Sequence, residues 1–584
     1  MAAALVCHFY NHQHFIWIMK KYLLLLLSGW LFTSITNAQS IDRKTAAATA
    51  ANVLHKSVVP TEKLTAEVRS RLSNLSYTPA FYVFNAEDGQ GFVIVSGDER
   101  MPEVMAYSRN GQFDAENMPP ALIEMLDAYT EVVNDVRKGE TTVEKPTLRF
   151  DDAQPIVGPL CRSQWGQNDP YNTLCPEKNG EKCPVGCVAT ALAQIMYHFS
   201  WPVQGEGSNR YASGISGVGL LSSNFYEHTY EWDVMKTTKR ENAASAEAAN
   251  AVAQLSYDCG IATRMKYDPE GSGTNDDLAM VALYTNFRYR ASTLRIERRN
   301  CYATQEEWDN LVKSELDANR PVLYAGFNKS GGGHEFIIDG YDDAGFFHLN
   351  WGWDGSSDAW YSIVTLHPTK TSFSFSEDQS MVCGIEPDKT GEDKTPHQFR
   401  IYMEAGPSVS AETVKCGTAF ALTLNSFFNY SRTAHTWTVG AALYNLDGEQ
   451  LDLMTPKSNG YTEEILSLKG YSRYTIAATV PEDTPDGFYA IKAVFCQKDY
   501  DEYILPDMVG GQALNAIIIE VKDGTVYFNA EIPAAIQQLD DAQTIVAHEY
   551  YDLAGRKLNQ APKGVVIDRQ TLSNGKQVVK KTLK

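Results

Sequence analysis

The sequence predicts an α+β protein of several domains, and three observations predict it. Two β-rich runs, Phe81–Asn85 and Gly91–Ser96, precede an apolar stripe of helical spacing that ends near residue 138. A second helical stripe starts at Cys187, and far downstream the runs around 334–353 alternate with a period of two. Beyond residue 399, short β-rich runs alternate with turns, the pattern of a β-sandwich. A chain of 584 residues is too long for one core, and 43% hydrophobic with 21% charged residues is ordinary for globular protein.

The first segment, 1–38, reads as a leader. Lys20 and Lys21 form a basic start, Tyr22–Phe32 is a short apolar run, and Thr36 and Ala38 are small residues before a cleavage point at Gln39. The expected true start is Met19, and the expected location is secreted or at the cell surface. No later run reaches the length needed to span a bilayer. The formal net charge of −21 excludes a general binder of nucleic acid or anionic lipid, so neither a nucleic-acid partner nor a membrane span is expected.

Residues 39–152 form the next unit. Asp88-Gly89 is a hairpin turn between the two β-rich runs. Leu122, Met125, Leu126, Tyr129 and Val132 then make the helical stripe, opened by Pro119 and Pro120 and closed by Gly139. The polar stretch "KGETTVEKPTLRFDDAQP" is an exposed linker, open to proteolysis. Residues 153–387 hold the chemistry. "DKTGEDKTPHQ" is a second linker, 399–520 the β-sandwich, and 521–584 a small β module with Asn574-Gly575 as a turn and a basic end.

Nine cysteines follow the leader, at 161, 175, 183, 187, 259, 301, 383, 416 and 496. Nine cannot all pair, which suggests a free thiol in an exported chain. Cys175, Cys183 and Cys187 have C-x7-C-x3-C spacing, which does not fit the paired C-x2-4-C of zinc sites, so no metal and no cofactor are expected. A disulfide of Cys175 with Cys183, or of Cys161 with either, fits better.

Cys187 is the cysteine with company. Val188, Ala191, Leu192, Ile195, Met196 and Phe199 put it on the first turn of a helix. There unpaired N–H groups and the dipole favour a thiolate and can also hold an oxyanion. A buried cysteine at a helix start would look the same, so the base matters. His334 starts the run "HEFIIDGYDDAGFFHLNWGW", 147 residues on, in the range where papain-like enzymes carry their histidine. A hairpin centred on Asp342 would set Asn350 opposite His334, where an amide could fix the tautomer. Trp351 and Trp353 could shield that bond. Gly331–Gly333 lack the Lys-Ser/Thr of a phosphate loop and better suit close approach by an extended peptide. Gln164 and Gln167 are two candidates for a second oxyanion donor.

"WGQNDPYN", "GCVATALAQIMYH", "GGHEFIIDGY" and "HLNWGWDGSSDAW" resemble the streptopain family of secreted bacterial cysteine proteases, in its interpain-like Bacteroidetes form. "FYVFN" with "GFVIVSGDER" is similar to the family's inhibitory propeptide. The resemblance implies a papain-like fold in 153–387, a propeptide in 39–152, Cys187 as nucleophile and His334 as base. It implies Gln167 as the oxyanion glutamine, and Asn350 or Trp351 beside the histidine. Gly333, Ser272 and Thr274 match substrate-contacting segments. It further implies a zymogen with broad endopeptidase activity on proteins or peptides, inhibited by its own propeptide, with an apolar residue favoured one position before the scissile residue. The tail resembles sorting domains of type IX secretion, which implies secretion machinery as a partner. A transglutaminase-like acyl transferase would use an acid as third group, and a non-catalytic adhesin would not need Cys187, His334 and Gln167 intact.

Overall fold

A computed structural model describes residues 40–61, 79–143, 153–302, 304–327, 333–363, 379–393, 400–431, 434–454, 461–467, 469–498, 500 and 502–532. It also describes the strands at 545–551, 557–558, 565–572 and 577–583. The leader, most of the first linker, and Asn574-Gly575 lie outside the described residues. The chain divides into two compact units, 1–400 with 430–433, and 401–429 with 434–584.

In the first unit, helix α1 (Arg43–Leu54) and strands β1 (Val58–Pro60), β2 (Phe81–Ala86), β3 (Phe92–Ser96) and β4 (Val104–Ser108) lead to helix α2 (Pro120–Lys138). The expected hairpin forms, with Asn85 facing Phe92. Helix α2 opens on Pro119 and Pro120 and ends on Gly139, whose left-handed backbone only glycine adopts without cost. Helices α3 (Cys187–Phe199), α4 (Ala246–Ala262), α5 (Asp276–Asn286) and α6 (Gln305–Asp317) follow. The strands of this part are β5 (Arg295–Arg298), β6 (Val322–Phe327), β7 (Gly333–Asp342), β8 (Phe347–Asn350), β9 (Ala359–Tyr361) and β10 (Ser380–Cys383).

One sheet runs β1-β2-β3-β4-β9-β8-β7-β6-β10-β5, with Pro155–Val157 paired on β7. The N-terminal segment is therefore joined to the rest by main-chain pairing. Tyr107 faces Trp360, Ala106 faces Tyr361, and Ser362 donates its N–H to the Met105 carbonyl at 2.9 Å. The side chains continue the join. Leu122, Met125, Leu126 and Tyr129 of α2 share one core with Trp308, Phe336, Ile338, Trp351 and Tyr361. The Tyr107 hydroxyl donates to Asp342 Oδ2 at 2.6 Å in this buried seam.

The expected register of the β7–β8 hairpin is corrected. Ile337, not His334, faces Asn350, because β7 runs on to Asp342 and the turn is centred on Ala344 rather than on Asp342; the slip between Ile338 and Gly340 changes the pairing by one residue only. Bulges of this kind insert a residue and shift everything beyond them.

In the second unit two sheets face each other. One contains Ile401–Ser408, Phe420–Asn429, Gly470–Ala478 and Asp507–Met508. The other is built around His435–Tyr444 and Gly487–Gln497. Phe427 of the first meets Phe495 of the second at 5.2 Å between ring centres. Ile517–Lys522 and Thr525–Phe528 complete the second sheet, so the sandwich runs past residue 520 to Phe528. A separate four-stranded sheet from 545 to 583 forms the C-terminal module.

Candidate active site

Helix α3 begins at Cys187 itself. Its N-cap is Gly186, with φ of 93° and no side-chain cap, so the first N–H groups stay available to an anion. A Cβ on Gly186 would meet Met265 Sδ at 2.8 Å and the Ser272 carbonyl at 2.9 Å, so glycine is needed for two reasons. The stripe Val188, Ala191, Leu192, Ile195 and Met196 is buried and fixes the helix against its neighbours. Cys187 is half-buried at its head.

Strand β7 brings His334 to that sulfur. The two side chains are hydrogen-bonded, and the N–H groups of Glu335 and Val188 also point at Sγ. Burial alone would raise the Cys187 thiol. The imidazole and the two N–H groups outweigh it and hold the thiol below its ordinary value. Burial would likewise lower His334, but hydrogen bonds to Cys187 and to Glu124 push it up to about 9. Glu124 comes from α2, with its Oε1 3.5 Å from His334 Nε2. Both shifts favour the thiolate–imidazolium form of the pair, and the N-terminal segment adds a third, acidic group.

Asn350 does not take the place expected for it. Its side chain is 2% exposed and fully used elsewhere. Oδ1 accepts from Gln194 Nε2 at 3.1 Å and from Gly352 N at 3.1 Å, while Nδ2 donates to the Ser163 carbonyl at 2.8 Å. The later turn described above removes it from His334. Gln194 also accepts from Trp165 N at 3.0 Å. Asn350 therefore ties α3 to β8 and to the segment carrying Gln167. Trp351 has partners of its own. Its N–H donates to Asp358 Oδ1 at 2.9 Å, its Nε1 to the Ser357 carbonyl at 3.1 Å, and its ring lies against Phe336. Trp353 donates to Asn117 Oδ1 at 3.2 Å.

The two glutamines separate. The Gln167 carbonyl accepts from Val185 N at 2.9 Å, two residues before the nucleophile. Gln164 is exposed and donates its N–H to Thr237. Gly333 opens β7 beside the base. Ser272 is buried next to Gly186, whereas the Thr274 hydroxyl is taken by the Thr263 carbonyl at 2.5 Å. Cys161, Cys175 and Cys183 stand as free thiols, with Cys161 held through its N–H on Asp339 Oδ2 at 2.9 Å. Among the described residues no cluster of three His, Cys, Asp or Glu could hold a metal ion, and no helix is long and apolar enough to cross a membrane.

Sequence reasoning missed Glu124, Gln194 and Glu335. Gln194 left a trace, an amide inside an otherwise apolar helix seven positions after Cys187. Glu124 left none, since nothing local links an acid on one helix to a histidine 210 residues away.

Residues 165–361 match the Peptidase C10 family and residues 38–133 match the Spi protease inhibitor family. The chain is 33% identical over 327 residues to the thiol protease/hemagglutinin PrtT of Porphyromonas gingivalis, covering 53% of this chain but only 37% of that protein. It is 33% identical over 337 residues to streptopain of Streptococcus pyogenes, covering 52% of this chain and 80% of that one. Prointerpain A of Prevotella intermedia, as a solved fragment, is 35% identical with a TM-score of 0.45, covering 53% of this chain and 97% of the fragment. With four fifths of streptopain's length matched at this identity, the chain belongs to the peptidase C10 family of cysteine proteases and carries that family's inhibitor segment at its N-terminal side.

Proposed function

We propose that Cys187 is the nucleophile and His334 the acid and base of an endopeptidase that is exported as a zymogen and cleaves proteins or peptides. The observation that carries this reading is the Cys187 sulfur at the head of α3 hydrogen-bonded to the His334 imidazole. The thiolate adds to the peptide carbonyl and forms a C–S bond. The oxyanion lies between the Cys187 N–H and the Gln167 side chain, whose backbone is tied to Val185. The imidazolium gives its proton to the amine nitrogen as the C–N bond breaks. Neutral His334 then takes a proton from water, which attacks the thioester and releases Cys187 as thiolate.

Glu124 supports latency, because a carboxylate held on the imidazole must leave before a substrate amine can take its proton. Gly333 and the Ser272–Thr274 loop are the proposed substrate-facing backbone. The sheet from 545 to 583, with its basic end, is proposed to act in secretion. Azocasein hydrolysis by the processed protein tests the mechanism: Cys187→Ala is expected to lose activity by at least about a thousandfold. Equal activity in the two proteins would exclude it. Sequencing the start of the active form tests latency, with a new N-terminus expected between about 140 and 160.

A further inference from the structure

Helix α4 carries a fully buried aspartate, Asp258, and four side chains converge on it. Its Oδ1 accepts from the Ser223 hydroxyl at 2.6 Å and from Gln254 Nε2 at 3.0 Å. Its Oδ2 accepts from His228 Nδ1 at 2.8 Å and from the Tyr230 hydroxyl at 2.9 Å. Three of these donors are neutral. Among the described residues, His228 is the only group that forms an ion pair with Asp258. A buried carboxylate without a counter-charge is costly, so the protonation of this one imidazole decides whether the charge is answered. The His228 side chain is 26% exposed, which gives solvent protons access to it. The groups facing the ring are Asp258 and Gln254 from α4 and Glu227 from its own segment. The hydrogen bond to Asp258 holds the imidazole above its ordinary value.

What this cluster holds leads back to the nucleophile. Ser223 lies on a hairpin of two strands, Ser208–Ala212 and Leu220–Asn224. From the first of these strands, Asn209 Nδ2 donates to the Ile261 carbonyl at 2.7 Å and the Tyr211 hydroxyl to the Met265 carbonyl at 2.7 Å. Met265 begins the loop that leaves the end of α4 and returns through Ser272. Lys266 and Gly273 close that loop with N–H bonds to each other's carbonyls at 3.0 and 3.2 Å. Met265 and Ser272 are the two residues that wall Gly186 at the head of α3. A continuous brace thus runs from Asp258 through the hairpin to the loop beside Cys187.

We propose that His228 is a positioning residue: as the protonated counter-ion of Asp258 it clamps the 208–224 hairpin on α4 and so sets the substrate-facing loop from Met265 to Thr274, and peptide binding weakens when it loses its proton. The proposal rests on the cysteine-peptidase reading above. A raised histidine contributes fully below about pH 6.5, and the contribution is lost as the pH rises through its raised value. His228 and Asp258 are not among the partners of Cys187 or His334, so the effect falls on KM rather than on kcat.

Peptide hydrolysis by the processed wild type, His228→Arg and His228→Gln tests the proposal, with hydrogen exchange of the same proteins as a readout that needs no activity. Between about pH 6 and about pH 8.5 the wild-type KM is expected to rise at least about threefold while kcat changes little. The permanent charge of His228→Arg should remove the rise. His228→Gln should already show the raised KM at the acid end. In exchange at the alkaline end, segments 208–224 and 265–274 should open faster in the wild type than in His228→Arg. A wild-type KM that does not move with pH, a rise that persists in His228→Gln, or equal exchange in wild type and His228→Arg would each overturn the clamp. Hydrolysis by none of the three, with the exchange difference present, would count against the peptidase reading and leave the clamp standing.

Discussion

Glu124 Oε1 stands 3.5 Å from His334 Nε2, so a carboxylate from the inhibitor segment occupies the ring nitrogen that the proposed mechanism would use. Both side chains are largely shielded, and the pair is charge-assisted. Replacing Glu124 by Gln keeps the shape and removes the charge. We expect unprocessed Glu124→Gln to be alkylated at Cys187 by an epoxide inhibitor about 5–10-fold faster, corresponding to roughly 1 kcal/mol. Mass spectrometry of the intact chain against time checks this.

The same pair has a pH signature. His334 is raised from 6.5 to about 9, so its contribution is fully present below about pH 6.5 and is lost as the pH rises through about 9. The stability difference between the unprocessed chain and Glu124→Gln should follow that course. Thermal unfolding from pH 6 to pH 10 measures it, and a difference that grows with pH would contradict the assignment.

Cys187 should react as a thiolate well below the ordinary thiol range, because His334 and two N–H groups outweigh its burial. In the processed enzyme the midpoint of the iodoacetamide rate against pH is expected below about 8.5. His334→Ala should move it upward, since burial then dominates.

Asn350→Ala distinguishes an anchor from an orienting group. It strands the Gln194 amide and the Ser163 carbonyl in a buried place, at a cost of about 2–4 kcal/mol. The expected result is a lowered melting temperature with an unchanged pH profile of alkylation. A shifted profile with little loss of stability would restore the histidine-orienting role.

Tyr107→Phe removes the hydroxyl bonded to Asp342 across the seam. The loss is about 1–3 kcal/mol, read as a melting temperature lower by about 2–6 °C in the unprocessed chain. The processed enzyme lacks Tyr107 and gives the control.

Local pattern made much of this legible. The α3 stripe, the Phe81–Ser96 hairpin and helix α2 follow from spacing and punctuation alone, because each needs only neighbours within a few residues. The partnership of Cys187 with His334 was readable from residue type, helix position and separation. The partner of Asn350 was not, since Asp342, Asp343 and Gly345 allow more than one turn centre, and the two-residue difference between Asp342 and Ala344 moves every pair by four. Glu124 and Glu335 were invisible for a different reason. Each acquires meaning only from what the fold sets against it.

Strand β4 lies between the rest of the inhibitor segment and β9, hydrogen-bonded to the sheet that also carries His334. A cut in the linker breaks one covalent bond and none of these. What it leaves is a clipped complex, two chains still sharing a sheet and a core. Liberation is a second event, in which β9 becomes a bare edge and the apolar surface under α2 meets water unless it repacks. The amount of enzyme at work is then set by how fast the clipped segment dissociates or is digested, and dilution after processing becomes a control on activity in its own right.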